Sequence, residues 1–263
     1  MASRIAAKFN QLRKEGRKKA FIAYIMCGDP SLEGTAKLVK TLEECGADII
    51  ELGVPFSDPL ADGPVIQAAG GRAIEAGVDL KAVIEFVRDL RRETQIPLVL
   101  MTYYNPVFKY GEEAFARDAA QAGADGVIIP DLPVDEAAAL RGHCARYGLD
   151  TIFLAAPTST EDRLRKVAQA SSGFIYYVSM TGITGARLSV SSEMSGAIEE
   201  LKRLSKGKKP VSVGFGVSTP EEAAQVSTIA DGVIVGSAIV KKANEAPEEE
   251  FRRYVKSLRE AIR

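Results

Sequence analysis

The chain has 263 residues, 46% hydrophobic and 26% charged, enough to bury a full core as one large domain or two small ones. Its 34 basic and 35 acidic residues leave a formal net charge of -1, which gives no electrostatic case for binding nucleic acid or an anionic membrane. No apolar run approaches the ~20 residues needed to cross a bilayer.

Residues 1–19 are basic but lack an apolar core or cleavage site, so they do not read as a secretory signal. Ile5, Phe9 and Leu12 recur at helical spacing and predict a short opening helix over 1–15. Short apolar, β-branched runs then alternate with longer amphipathic stretches. Strands are expected at 21–26, 48–54, 98–103, 126–130, 151–155, 174–179, 211–215 and 232–235. Most are continuously apolar, as parallel strands buried on both faces should be. Between them, Asp29-Pro30 precedes a helix over 32–44 that stops at Gly46, and Ser159 with Asp162 resembles a capping box for a helix over 164–170. Thr219-Pro220-Glu221-Glu222 sets another helix start, and a last helix begins near Glu248. Gly46-Ala47-Asp48, Gly123-Ala124-Asp125 and Ala230-Asp231-Gly232 look like repeated helix–strand joints. Eight β/α units without a dividing linker predict a single α/β domain over 1–263, a TIM (β/α)8 barrel with an extra N-terminal helix. A doubly wound open sheet is the alternative, but Cys27-Gly28-Asp29-Pro30 after the first strand carries no GxGxxG fingerprint.

In such a barrel the chemistry sits at the C-terminal strand ends and the loops beyond. That rule selects Tyr24, Glu51, Asp58, Asp62, Met101, Tyr103, Asp131 and Tyr176. Each has a plainer reading. Glu51 fits a buried ion-pair partner, Asp62 a cap for a helix starting near Val65, and Asp58 and Asp131 turns or caps; the tyrosines and Met101 fit barrel packing. Gly214-Phe215-Gly216 and Gly236-Ser237, after the last two strands, suit a phosphate, because glycine lets backbone N–H groups approach an anion closely. Residues 179–195, with Gly182 and Gly185, read as a mobile lid that excludes water. Cys27, at a strand end, has nothing nearby to activate it. The three cysteines lack CxxC spacing and His143 stands alone mid-helix, so a disulfide framework, a zinc site or a histidine-rich centre is not expected.

The stretch 51–67, beginning Glu51-Leu52-Gly53-Val54-Pro55-Phe56-Ser57-Asp58-Pro59-Leu60-Ala61-Asp62-Gly63-Pro64, closely resembles the tryptophan synthase alpha subunit family. Gly28-Asp29-Pro30, residues 103–110, Asp131-Leu132-Pro133, Gly182, Gly185, Gly214, Gly216, Gly236 and Ser237 follow in the family's order. The resemblance implies a lyase of tryptophan biosynthesis that cleaves indole-3-glycerol phosphate to indole and glyceraldehyde 3-phosphate by a retro-aldol step. It implies Glu51 as proton-shuttling acid/base and Asp62 as partner of the indole N–H. It implies Tyr24, Met101, Tyr176, Thr184, Gly185, Gly216, Gly236 and Ser237 as substrate-binding residues. Asp58 and Pro59 would face a beta subunit in an allosteric alpha2-beta2 complex. Pyridoxal phosphate would belong to that beta subunit, with no cofactor or metal in this chain, and the setting would be cytoplasmic. Two places depart from the family pattern: Met26-Cys27 replaces a small or hydroxylated pair, and Gly70-Gly71 interrupts the helix after the second loop.

A stand-alone indole-releasing enzyme, a barrel kept as an allosteric partner, and another phosphate-binding barrel are the competing readings. Schiff-base aldolase chemistry would need a lysine inside a strand, and the expected strands contain none.

Overall fold

The computed structural model describes residues 3–16, 19–179, 190–214 and 216–263. Along the chain run α1 (Arg4–Lys14), β1 (Ala20–Met26), α2 (Leu32–Glu44), β2 (Ile49–Gly53), α3 (Pro64–Glu75), α4 (Leu80–Leu90) and β3 (Leu98–Met101). Then come α5 (Tyr104–Tyr110), α6 (Glu112–Ala122), β4 (Gly126–Ile128), α7 (Ala138–Tyr147), β5 (Asp150–Ile152), β6 (Leu154–Ala155), α8 (Glu161–Ala170) and β7 (Ile175–Val178). The last third holds α9 (Ser192–Leu204), β8 (Val211–Gly214), α10 (Pro220–Ser227), β9 (Gly232–Val235), α11 (Ser237–Glu245) and α12 (Glu248–Ala261).

All strand pairs are parallel, in the order β5-β4-β3-β2-β1-β9-β8-β7-β6. The two ends of that order are one stretch of chain. The strand expected over 151–155 is broken at Phe153, where pairing passes from β4 to β7. Phe153 donates its N–H to Ser171 Oγ at 3.3 Å, and its carbonyl accepts from Tyr176 N at 3.1 Å, so the ring closes through that residue. The result is the expected eight-position barrel with the helices outside it. β1 is buried along its whole length, as a strand covered on both faces must be.

One end of the barrel is plugged. α1, capped by Ser3, inserts Ile5, Phe9 and Leu12 against Ile22, Ile49, Val99, Ile128, Ile152 and Ile234 from the strands and Phe174 just before β7. The rings of Phe9 and Phe174 meet at a tilt of 54°, with centroids 6.2 Å apart. The repeated Asp joints close the same end. Asp48, Asp125 and Asp231 accept the N–H of Phe21, Leu98 and Val211 at 2.9, 2.8 and 2.9 Å, completing the start of the neighbouring strand. Asp48 pairs with Arg259 at 2.7 Å and Asp125 with Arg91 at 2.5 Å. Gly46 and Gly123 let those arginines cross, since a Cβ there would stand 2.8 and 2.6 Å from the arginine Cγ.

Two local expectations are corrected. The α8 cap is Thr160, accepting from Arg163 N, while Ser159 instead accepts from Ala156 N; the capping chemistry is shifted by one residue. Gly70-Gly71 does not interrupt α3, which runs through both. Gly70 is buried on the face of α3 that includes Ala69 and Ala73, and a Cβ there would stand 3.5 Å from Met26 Cε, so burial holds the turn. At Gly71 a Cβ would meet nothing within 4 Å. Gly71→Ala is therefore expected to stabilise the chain by about 0.5–1 kcal/mol in urea unfolding, with kinetics unchanged.

Candidate active site

The end opposite the plug carries a cavity of about 150 Å³. Its floor and walls are Tyr24 from β1, Glu51 from β2, Met101 from β3, Tyr176 from β7 and Ile234 from β9. Asp62 and Ile66 reach in from the β2–α3 segment, and Gly216, Val217, Ser218, Gly236, Ser237 and Ala238 form the opposite rim. The strand-end rule thus brings together Tyr24, Glu51, Asp62, Met101, Tyr176, Gly216, Gly236 and Ser237. Thr184 and Gly185 lie outside the described residues, as does 180–189 of the lid expected over 179–195; the last four residues of that stretch, from Ser192, belong to α9 and not to a loop.

Glu51 is fully buried, and among the described residues neither carboxylate oxygen has a hydrogen-bond partner. The ion-pair reading therefore fails. Burial pushes its carboxyl up to about 8, so the side chain is predominantly neutral at pH 7. A neutral carboxyl aimed at a cavity can give up a proton and take one back.

Asp62 is not a helix cap. α3 starts from Gly63 with no side-chain cap, and Asp62 contributes only its carbonyl, which accepts from Gln67 Nε2 at 2.8 Å. Burial raises its carboxyl, opposed by a hydrogen bond with Tyr103. The Tyr103 hydroxyl also accepts Ala61 N–H at 2.9 Å, and its ring packs on Phe56 at 5.4 Å. Tyr103 thus shapes the loop that carries Asp62, a role the sequence did not show.

The two cavity phenols are buried, which raises both well above the ordinary tyrosine range. Charge on Asp62 and Glu51 adds to the effect at Tyr24, and Glu51 and Tyr24 add to it at Tyr176. Each ring leans towards a glycine on the adjacent strand. A Cβ on Gly53 would lie 2.1 Å from Tyr24 Oη, and one on Gly214 would lie 2.2 Å from Tyr176 Oη.

At the glycine rim the two helix starts differ. α10 is closed by a full capping box between Thr219 and Glu222, which also takes Ser218 N–H at 2.8 Å. α11 starts at Gly236-Ser237 without any side-chain cap. Its first N–H groups are the ones left for an anion, where the helix dipole also favours negative charge.

The remaining candidates fall outside the cavity. Asp131 accepts Tyr104 N–H at 2.9 Å and so caps α5 from another loop. Asp58 is exposed and takes Ser57 Oγ at 2.6 Å, a turn contact. Cys27 is buried and its thiol is pushed up by burial, the opposite of activation. His143 lies in α7, away from the cavity lining. Among the described residues no group of three or more His, Cys, Asp and Glu could hold a metal ion. None of the described strands contains a lysine.

The family model for the tryptophan synthase alpha chain matches residues 9–262. A tryptophan synthase alpha chain of Geobacter sulfurreducens is 50% identical over 264 residues, covering 99% of both chains. One from Methanosarcina acetivorans is 54% identical over 239 residues, covering 90% of this chain and 85% of the relative. Among solved structures, tryptophan synthase of Mycobacterium tuberculosis superposes with a TM-score of 0.91 at 40% identity, covering 100% of this chain and 99% of the other. Tryptophan synthase subunit alpha of Legionella pneumophila gives 0.89 at 39% identity, covering 100% and 99%.

Proposed function

The chain belongs to the tryptophan synthase alpha chain family, a family of lyases that cleave indole-3-glycerol phosphate to indole and glyceraldehyde 3-phosphate, and from that premise we propose that Glu51 and Asp62 carry the cleavage here. The observation that carries this reading is Glu51 itself, a buried carboxyl at the wall of the cavity with no hydrogen-bond partner among the described residues.

The reaction breaks the bond between indole C3 and the hydroxyl-bearing side-chain carbon. Indole is a poor leaving group until C3 is protonated. Glu51, neutral at pH 7, gives its proton to C3. As the carboxylate it takes the proton from the side-chain hydroxyl while the C–C bond breaks and a carbonyl forms. Glu51 ends as it began, so one residue serves as acid and then base. Positive charge develops on the ring nitrogen, and Asp62, held by Tyr103, receives the ring N–H. Tyr24, Met101 and Tyr176 wall the ring, while Gly216, Gly236 and Ser237 hold the phosphate beside α11. Thr184 and Gly185 belong to the same reading by resemblance alone.

Membership also implies a beta-subunit partner. An alpha2-beta2 assembly docked through Asp58 and Pro59 accords with the surface beside that loop. Leu60 is 86% exposed, and Phe108, on α5, is 65% exposed. Apolar side chains this exposed favour a covering partner. Pyridoxal phosphate is assigned to that partner and none to this chain. No described helix is long and apolar enough to cross a membrane, and we assign the enzyme to the cytoplasm.

The test is indole release from indole-3-glycerol phosphate by the purified chain, with and without an added beta subunit. Release that rises at least several-fold with beta supports the partnered lyase. Release unchanged by beta supports the stand-alone enzyme, and none in either case overturns the assignment of the chemistry.

A further inference from the structure

Three elements that carry different parts of the site meet at one carboxylate outside the cavity. Asp29 follows β1 and its side chain is only 3% exposed. From α3, Arg72 donates through Nε to Oδ1 at 2.7 Å and through a second nitrogen to Oδ2 at 2.8 Å. From α11, Asn244 Nδ2 donates to Oδ2 at 2.9 Å and also to the Val240 carbonyl at 3.0 Å, which fixes the amide on its own helix. α3 begins two residues after Asp62, and α11 begins at Ser237. The acid end and the phosphate end are therefore roots of the two helices that Asp29 joins. None of the three clamp residues lines the cavity.

The chemistry of the joint is specific. A forked guanidinium–carboxylate pair sets orientation as well as distance. The same carboxylate oxygen that completes the fork also accepts from Asn244, so α3 and α11 are tied to each other and to the end of β1. An amide at position 29 would lose the second arm of the fork and the negative charge that strengthens both contacts, and so would hold the two helices more loosely.

We propose that Asp29 is a positioning residue that sets the separation between the Asp62 end and the α11 phosphate end of the site. The proposal rests on the functional reading above and adds a residue to it. A substrate that spans both ends gains its binding from the two being held at one distance. A ligand that occupies one end alone is indifferent to it.

The experiment uses the full chain with Arg72→Gln, Arg72→Lys and Asp29→Asn. Arg72 is half-exposed, so its variants keep a folded chain even where Asp29→Asn fails to fold. Steady-state cleavage of indole-3-glycerol phosphate is measured beside the inhibition constant of inorganic phosphate. Arg72→Gln is expected to lower kcat/KM roughly ten- to a hundred-fold while the phosphate constant stays within about two-fold, and Arg72→Lys to recover only part of the loss. Kinetics within about two-fold of the parent would overturn the clamp, as would a phosphate constant that rises in step with KM, the mark of a collapsed α11 site. A parent chain that neither cleaves the substrate nor is inhibited by phosphate would remove the functional reading, and the clamp with it.

Discussion

Glu51→Gln is expected to abolish indole release while making the folded chain more stable at pH 8. The activity side follows from the proton path: glutamine neither gives a proton to indole C3 nor takes one from the hydroxyl. The loss should reach at least about 10^3-fold in kcat with little change in KM. The stability side follows from linkage. The folded carboxyl sits at about 8 against an ordinary value of 4.5, because burial disfavours its charged form. Below pH 4.5 both folded and unfolded chains hold the proton, and ionisation of the group contributes nothing to stability. As pH rises from 4.5 to 8 the unfolded chain releases it while the folded chain keeps it, so stability is progressively lost. Above 8 the loss levels off, on the order of 5 kcal/mol. A buried glutamine amide left unpaired costs about 1–3 kcal/mol of its own. The net expectation at pH 8 is a gain of roughly 2–4 kcal/mol, or a Tm higher by about 5–10 °C, shrinking to nothing or reversing near pH 4.5. Urea unfolding and indole release, each followed from pH 4.5 to 8.5, measure both sides. A variant that loses activity yet shows no pH-dependent stability gain would mean that Glu51 is not held neutral. One that keeps activity would remove Glu51 from the chemistry.

The barrel was legible because its strands are unbroken apolar runs, and both-face burial leaves little room for another pattern. The break at Phe153 was not, since an apolar run does not show where its pairing passes from one neighbour to the other. Ser159 and Thr160 carry the same capping chemistry, so only backbone geometry tells which one caps α8. The Gly70-Gly71 pair read as a break because local propensity says so; α3 continues because Ala69, Gly70 and Ala73 are buried, which local propensity does not register. The site divides in the same way. Glu51 and Asp62 were accessible through position, one ending a strand and the other in the loop beyond. Asp62 looked as much like a cap as a catalytic group until Tyr103 was seen to hold it. The Asp joints were visible as a repeat, but their function needed Arg91 and Arg259, which arrive from elsewhere in the chain. Asp29 stood out in Gly28-Asp29-Pro30, but the clamp did not, because its partners at Arg72 and Asn244 share nothing local with it.

Gly53→Ala is expected to cost roughly 100-fold in kcat/KM without unfolding the chain, through Tyr24 and not through the backbone. Gly53 ends β2 opposite Met26, two residues beyond the Glu51–Tyr24 pair. The Tyr24 ring leans into the space a side chain would fill: a Cβ would stand 2.1 Å from Oη, 2.7 Å from Cζ and 3.1 Å from Cε2. Real Cβ contacts do not fall below 3.0 Å, and the ring is rigid, so the phenol must shift by about 1 Å or more. Displacement on that scale in a positioned site costs about 100-fold in rate, against about 1–3 kcal/mol of stability for overpacking. The cause is separable by a second substitution. Tyr24→Phe removes the closest atom but leaves Cζ at 2.7 Å, so the double variant should regain part of the loss, giving a coupling energy of about 1 kcal/mol in a double-mutant cycle. Gly214→Ala displaces Tyr176 by the same logic, with Oη at 2.2 Å and the ring atoms Cζ and Cε1 at 2.7 and 2.9 Å, so phenylalanine at 176 should relieve it less. Gly71→Ala serves as the control for adding a methyl group where nothing opposes it. If Gly53→Ala cleaves substrate within about three-fold of the parent, or if Tyr24→Phe gives no relief, the phenol is not held by that slot and its place at the wall is incidental.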